Sequence, residues 1–310
     1  MELYNKYRPD SSEKILGNDL AIKSLKSEIA NGGHCFLITG ASGCGKTTLA
    51  RAAALDMGCD DMTIHEVDAS DDRGIDAMRK IKEQMRYVPI NGGKEVFILD
   101  ECHGITSAAQ ESVLKMLEEC PEHVYIFLCT TNPEKLIKTI QTRCSRIEMK
   151  PLDGTAMLGL LRRVAHWEKA NVGLEVLQQI VSLSNGSSRD ALKKLGQVLY
   201  LESDEERSKF LMENVFSDEK AEVIDLCRAL LKQEGWAKYM DCLDKLKDDL
   251  SSNSEGIRQA IMGYANAVLK KGINPAAVGM IQVFSNVDCF RNGKFGIMVG
   301  LLDFQDYMQG

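Results

Sequence analysis

The sequence predicts an α/β fold: a parallel five-stranded sheet with interleaved helices, then a small helical unit, then an all-helical C-terminal part. Three observations carry this reading. Five short apolar segments alternate with helix-like ones over residues 35–150. A glycine-rich loop stands directly after the first of them, in the strand–loop–helix order of a phosphate-binding turn. From Pro151 onward the apolar residues recur at helical spacing and strand-like alternation stops.

The strand segments are CFLIT (35–39), MTIHEV (62–67), EVFIL (95–99), VYIFLC (124–129) and RIEM (146–149). The middle three are nearly all apolar, as parallel strands buried on both faces are. Between them, TTLARAAAL, the segment around IDAMRKIKEQM, and SVLKMLEE read as helices. After Pro151, DGTAMLGLLRRVAHWEKA has an apolar face at Met157, Leu160, Leu161 and Val164. LEVLQQIVSLS and the serine-capped SSRDALKKLGQVLYL complete a three-helix unit. The acidic stretch ESDEER (202–207) marks a linker or helix start, and amphipathic helices fill the remainder. The expected domains are therefore 1–150, 151–205 and 206–310.

Composition excludes several classes. At 44% hydrophobic and 27% charged residues the chain has the make-up of a globular protein. No apolar run reaches membrane-spanning length, so no membrane partner is expected. The start MELYNKYRPD lacks the basic-then-apolar pattern of a secretory signal. Ten scattered cysteines without a C-x-x-C pair argue against a disulfide framework or a zinc ribbon. They read as thiols of a reducing cytoplasm. The net charge of −7 gives no sign of nucleic-acid binding, which depends on where the basic residues lie.

ITGASGCGKTT fits G-x-x-x-x-G-K-S/T at Gly40, Gly45, Lys46 and Thr47. The glycines let the backbone wrap round phosphates, with Ser42, Gly43, Cys44 and Thr48 completing the cradle. Lys46 would neutralise the β- and γ-phosphates of ATP, and Thr47 would ligate Mg²⁺. VFILDECH ends a buried strand in two acids. Asp100 would hold Mg²⁺ and Glu101 would activate an attacking water. A solvated loop that begins with two acids is the plain alternative.

Four further stretches carry a resemblance to the small subunits of sliding-clamp loaders within the AAA+ ATPases, namely replication factor C small subunits and the bacterial DNA polymerase III gamma subunit. They are YNKYRP (4–9), DASDDRGID (68–76), DECH (100–103) and TRC (142–144). The resemblance is strong over 1–200 and only architectural over 208–310. The chain lacks the gamma subunit's zinc-binding cysteines, and Thr142 stands where the family has serine. The mixture resembles a phage or otherwise divergent clamp loader.

The resemblance implies further roles. Tyr7, Arg8 and Pro9, with Ile15, Leu16 and Gly17, would flank the adenine. Thr131, or Asn132 beside it, would sense the γ-phosphate after the fourth strand. Arg189 would be a second phosphate sensor; a cation in a helix's first turn is unfavourable without a partner, either that phosphate or the nearby Asp190. Arg143 would reach the γ-phosphate held by a neighbouring subunit, whereas its plain alternative is a helix-end cation. Arg79, Lys82 and Arg86 share a helix face, opposite a stripe of Ile75, Met78, Ile81 and Met85. Periodicity alone makes that face solvated; the resemblance favours DNA contact by Arg79, Lys80 and Lys82, with Lys115 a weaker candidate. Tyr87, Val88, Pro89 and Ile90 either dock into a clamp or pack beneath their own loop.

The implied function is that of an ATP-hydrolysing subunit that opens a clamp and loads it on primer–template DNA. It would act in a ring or spiral of several subunits, a pentamer by analogy. Another AAA+ DNA-remodelling ATPase, such as a helicase or initiator loader, and a non-hydrolysing scaffold subunit are the alternatives.

Overall fold

The computed structural model describes residues 2–89, 92–184, 186–218, 221–246, 254–269, 272–287 and 294–309. Two compact units emerge: residues 1–171 with 186–197, and residues 172–185 with 198–310.

The first unit is built on five strands, β1 (Cys35–Thr39), β2 (Ile64–Asp68), β3 (Glu95–Asp100), β4 (Val124–Thr130) and β5 (Ser145–Glu148). They form one sheet in the order β2-β3-β4-β1-β5, and every pairing is parallel. Parallel neighbours need crossovers, which the intervening helices supply. Side chains alternate across the sheet and feed two cores. Phe97, Leu99, Ile126 and Leu128 pack under α4 (Ile75–Gln84), α5 (Ser107–Glu118) and α6 (Lys138–Arg143). Phe36, Ile38, Ile98 and Phe127 pack under α2 (Asp19–Ala30) and α3 (Lys46–Asp56) on the other face. A four-residue helix, α1 (Leu3–Lys6), precedes them.

One expectation shifts. The segment around residue 65 is not among the central buried strands, since β2 lies at the sheet's edge. Its alternating residues His65, Glu66 and Asp68 are partly or fully exposed, and Glu66 meets Arg8 and Arg51 there. Those polar positions are what an edge admits and a centre does not. The buried centre is β3, β4 and β1, and β4 is buried along its whole length. Of the apolar stripe along α4 and its C-cap, Met78, Ile81 and Met85 are buried and Ile75 is half-buried.

The first unit also contains α7 (Gly154–Trp167), capped by the Asp153 carboxylate, and α9 (Ser188–Val198) as far as Gln197. The second unit is helical throughout its described residues. Its helices are α8 (Leu174–Leu183), α10 (Asp204–Asp218), α11 (Ala221–Lys232), α12 (Trp236–Lys245), α13 (Ser254–Leu269), α14 (Pro275–Phe284) and α15 (Lys294–Gln309). Leu226, Leu230, Tyr239, Ile261, Phe284 and Leu301 belong to one shared core. Asn274 caps α14 through the Ala277 amide, with Pro275 at the first helical position. Arg258 donates to the Phe284 carbonyl at 2.8 Å, which satisfies a helix-end acceptor. No helix among the described residues is long and apolar enough to cross a membrane, and no disulfide joins the described cysteines.

Candidate active site

β1 ends at Thr39, and the chain turns through the glycine-rich loop into α3. Three loop glycines have φ values that side chains rarely tolerate: +153° at Gly40, +71° at Gly43 and +100° at Gly45. Space is equally restrictive. A Cβ on Gly40 would run into the Met149 carbonyl, and one on Gly43 into the Ser187 hydroxyl. Replacing Gly43 with alanine therefore combines left-handed strain with a forced shift of Ser187. The expected result is a loss of about tenfold or more in nucleotide affinity, measured by titration with a fluorescent ATP analogue.

Lys46 and Thr47 open α3 and are 5% and 8% exposed. Lys46 Nζ donates to the carbonyls of Gly40 and Ala41, both at 3.1 Å, so the ammonium stands inside the loop. Thr47 Oγ1 donates to Asp100 Oδ2 at 2.6 Å across the gap between α3 and the end of β3. The other Asp100 oxygen accepts from the Glu101 amide at 3.0 Å. Burial pushes the Cys44 thiol up, against a smaller opposing effect of Lys46. The thiol thus stays neutral beside the cradle, where an anion would oppose phosphate. Ser42 is exposed and Thr48 half-buried.

Glu101 takes the left-handed conformation, φ 46°, and its carbonyl accepts from the Gly104 amide at 2.9 Å. Its Oε2 lies 3.3 Å from His103 Nδ1 and 3.5 Å from Thr131 Oγ1. Thr131 in turn donates to Asn132 Oδ1 at 2.7 Å. Thus Asp100, Glu101, Thr131 and Asn132 meet at the carboxyl ends of β3 and β4, where parallel α/β sheets place their ligands.

Arg189 stands in the first turn of α9, beside the loop. Its Cβ would lie 3.6 Å from a Cβ on Gly43, and Ser188 Oγ donates to the Gly43 carbonyl at 3.2 Å. The Arg189 guanidinium is 5.7 Å from the centre of the Tyr4 ring, a cation–π arrangement. Gly17 approaches Leu152, whose amide donates to the Gly186 carbonyl next to Ser187. Leu16 and Ile15 adjoin it and are half-buried, as is Pro9. Tyr7 stacks on Trp167 with ring centres 5.1 Å apart, and Arg8 reaches Glu66 at 3.4 Å. These contacts order the YRP stretch against α7 and β2.

Arg143 is placed elsewhere. β5 starts level with Phe36, whereas the phosphate loop leaves β1 after Thr39. The last residue of α6 therefore stands at the amino end of the sheet, away from its own loop. Its guanidinium is half-exposed and pairs with Glu118 at 2.7 Å.

Arg79 and Lys80 are exposed on α4, and Arg79 pairs with Asp76 at 3.2 Å. Lys82 meets Glu119 at 2.9 Å. The Lys82 hydrogen bond holds the Glu119 carboxyl below its usual range, with Arg86 and Lys115 adding smaller effects. Lys82, Arg86 and Lys115 thus converge where α4 packs beside α5. Tyr87 and Val88 are 75% and 60% exposed, so neither packs beneath its loop. Ile90 lies outside the described residues.

Several partners escaped the sequence reading, among them His103, Glu118, Trp167 and Ser187. Only the serine pair at the start of α9 carried a signal, as a helix cap. The residues present suit a nucleoside triphosphate with Mg²⁺: a cradle that a Cβ would fill, a buried ammonium within it, and a hydroxyl–carboxylate pair to share a hard cation.

A family model described as DNA polymerase III, delta subunit, matches residues 61–153. The gamma/tau subunit of DNA polymerase III from Mycobacterium tuberculosis (strain H37Rv) is 31% identical over 224 residues, covering 64% of this chain and 39% of the relative. The gamma subunit from Buchnera aphidicola subsp. Schizaphis graminum is 29% identical over 264 residues, covering 78% and 72%. The tau subunit of Escherichia coli K12 is 24% identical over 300 residues, covering 89% and 46%. The chain thus spans about two fifths of the Mycobacterium relative's length. Among solved structures, the Thermotoga maritima RuvB Holliday junction branch migration motor matches at a TM-score of 0.58 and 18% identity, covering 73% of this chain and 80% of that one. At that identity the likeness shows the fold alone. Gamma and tau subunits of DNA polymerase III are thus the relatives that this chain resembles, over a parallel sheet that carries the glycine-rich loop.

Proposed function

We propose that the chain is an ATP-hydrolysing subunit of a clamp loader, which opens a sliding clamp and places it on primer–template DNA. The observation that carries this reading is the split of the catalytic set. Lys46, Thr47, Asp100, Glu101 and Thr131 meet at one end of the sheet, and Arg143 stands at the other. A chain so built completes its site with a neighbour's arginine, which calls for a ring or spiral, a pentamer by analogy.

Lys46 would neutralise the transferred phosphate's oxygens, and Arg189 would contact it from α9. Thr47 and Asp100 would hold Mg²⁺, which spreads the negative charge of the phosphates. Glu101 would orient the attacking water and accept its proton, and Thr131 would face the γ-phosphate. Leu16, Gly17 and the YRP stretch would border the adenine. The exposed Arg79 and Lys80, with Lys82 and Lys115, would follow the DNA backbone by charge without reading bases. Tyr87, Val88 and Pro89 would dock on the clamp. The functional divisions proposed are an ATPase part (1–150), a lid (151–205) and an oligomerising collar (206–310), acting at the replication fork in the cytoplasm.

The test is an ATPase assay on the chain assembled with its partner subunits, with and without primed DNA and the cognate clamp. Hydrolysis stimulated by both is expected. Hydrolysis indifferent to the clamp would overturn the clamp-loader reading.

A further inference from the structure

His103 lies two residues beyond Glu101, on a short turn from Cys102 to Gly104. The turn is anchored from two sides. Cys102 is fully buried in the core beneath α5. Gly104 packs so closely on the backbone of Ala69 and Ser70 that a Cβ would sit 3.1 Å from Ser70 Cα. The imidazole is thereby fixed, and its Nδ1 faces two oxygens: Glu101 Oε2 at 3.3 Å and Thr130 Oγ1 at 3.1 Å.

The tautomer follows from these neighbours. An unprotonated Nδ1 could accept from the Thr130 hydroxyl, but it would also turn its lone pair towards the carboxylate, which is unfavourable. An Nδ1–H can be shared between the carboxylate and the threonine oxygen. Among the described residues the Thr131 hydroxyl also donates to Oε2, at 3.5 Å, and it is engaged with Asn132 at 2.7 Å. His103 Nδ1 is the nearer of the two groups to that oxygen, at 3.3 Å. The Glu101 backbone is held as well, by its amide on Asp100 and its carbonyl on Gly104. With both ends fixed, the direction of the carboxylate depends on the imidazole.

We propose that His103 is a positioning residue: its Nδ1–H holds the Glu101 carboxylate against the end of β4, in the orientation from which Glu101 acts on the attacking water. The kinetic consequence rests on the ATPase reading above; the contact itself does not.

Nitrogen NMR of imidazole-labelled, full-length protein reads the contact directly. His103 is expected as the Nδ1–H tautomer, with its Nδ1 resonance shifted by Glu101→Gln. An Nε2–H tautomer, or no response to Glu101→Gln, would overturn the proposal whether or not the protein hydrolyses ATP. In the assembled complex, His103→Ala is expected to lower kcat about tenfold or more with the KM for ATP unchanged. His103→Asn, whose amide N–H can replace Nδ1–H, should recover most of that loss. In a Glu101→Gln background, His103→Ala should change nothing further. If kcat and KM worsen together, Tm falls, and asparagine fails to rescue, the role is merely structural and the proposal is lost. A wild-type complex without hydrolysis would sink the ATPase reading alone, with the tautomer still deciding this one.

Discussion

Arg143→Ala is expected to abolish hydrolysis in the assembled ring while the lone chain folds and binds ATP as before. Folding is safe on magnitude. The arginine is half-exposed and ends a helix, and its pair with Glu118 is a surface ion pair. Such pairs contribute at most about 1 kcal/mol, against a total stability of roughly 5–15 kcal/mol. ATP binding is safe on topology, since the arginine stands at the opposite end of the sheet from its own phosphate loop. Hydrolysis is exposed because a guanidinium brought in from a neighbour is worth about 10³–10⁵ in rate where such fingers operate. Arg143→Lys should not restore it, because an ammonium cannot offer the planar fork of donors. The measurement pairs nucleotide titration and thermal melting of the lone chain with turnover by the ring. Normal ring turnover would return Arg143 to a helix-end cation. The weakness of the Glu118 pair also suits the role, since a neighbour's phosphates can displace it at little cost.

How much of this was legible beforehand depended on whether the signal was local. Strands β1, β3 and β4 were readable because buried parallel strands are continuous apolar runs. The edge position of β2 was written in His65 and Glu66, but those polar residues were outweighed by the neighbouring apolar ones. The phosphate loop was readable because its glycines, lysine and threonine are contiguous and stand between strand and helix. Asp100 and Glu101 were readable because a strand end in an α/β sheet is a known place for ligands.

The partners were not readable, because each contact joins residues far apart in sequence. His103 acquires its role only when β4 brings Thr130 alongside β3. Glu118 meets Arg143 only because α5 packs against α6. Trp167 closes on Tyr7 across 160 positions of chain. Charge on α4 shows the same limit. Periodicity grouped Arg79, Lys82 and Arg86, but the packing of α5 added Lys115 to the group and set Glu119 against it. Exposure of Tyr87 and Val88 removes packing beneath the loop for these two residues, a point that composition left open.

The two adjacent acids should separate cleanly on substitution. Asp100 is tied to Thr47 at 2.6 Å, so Asp100→Asn should weaken Mg²⁺-dependent ATP binding as well as turnover. Glu101 makes no contact with the loop's threonine; its carboxylate faces His103 and Thr131 instead. Glu101→Gln keeps the size of the side chain and its hydrogen bonding but removes the base. Hydrolysis in the assembled complex should fall by about 10²–10⁴, the usual worth of a positioned general base. ATP affinity should stay within about twofold, because the lost group acts on water and not on the phosphates. If hydrolysis releases clamp and DNA in the proposed cycle, the complex should accumulate with ATP, clamp and DNA all bound. Single-turnover hydrolysis read beside nucleotide titration decides the matter. A Glu101→Gln complex that turns over within about threefold of wild type would remove Glu101 from the chemistry.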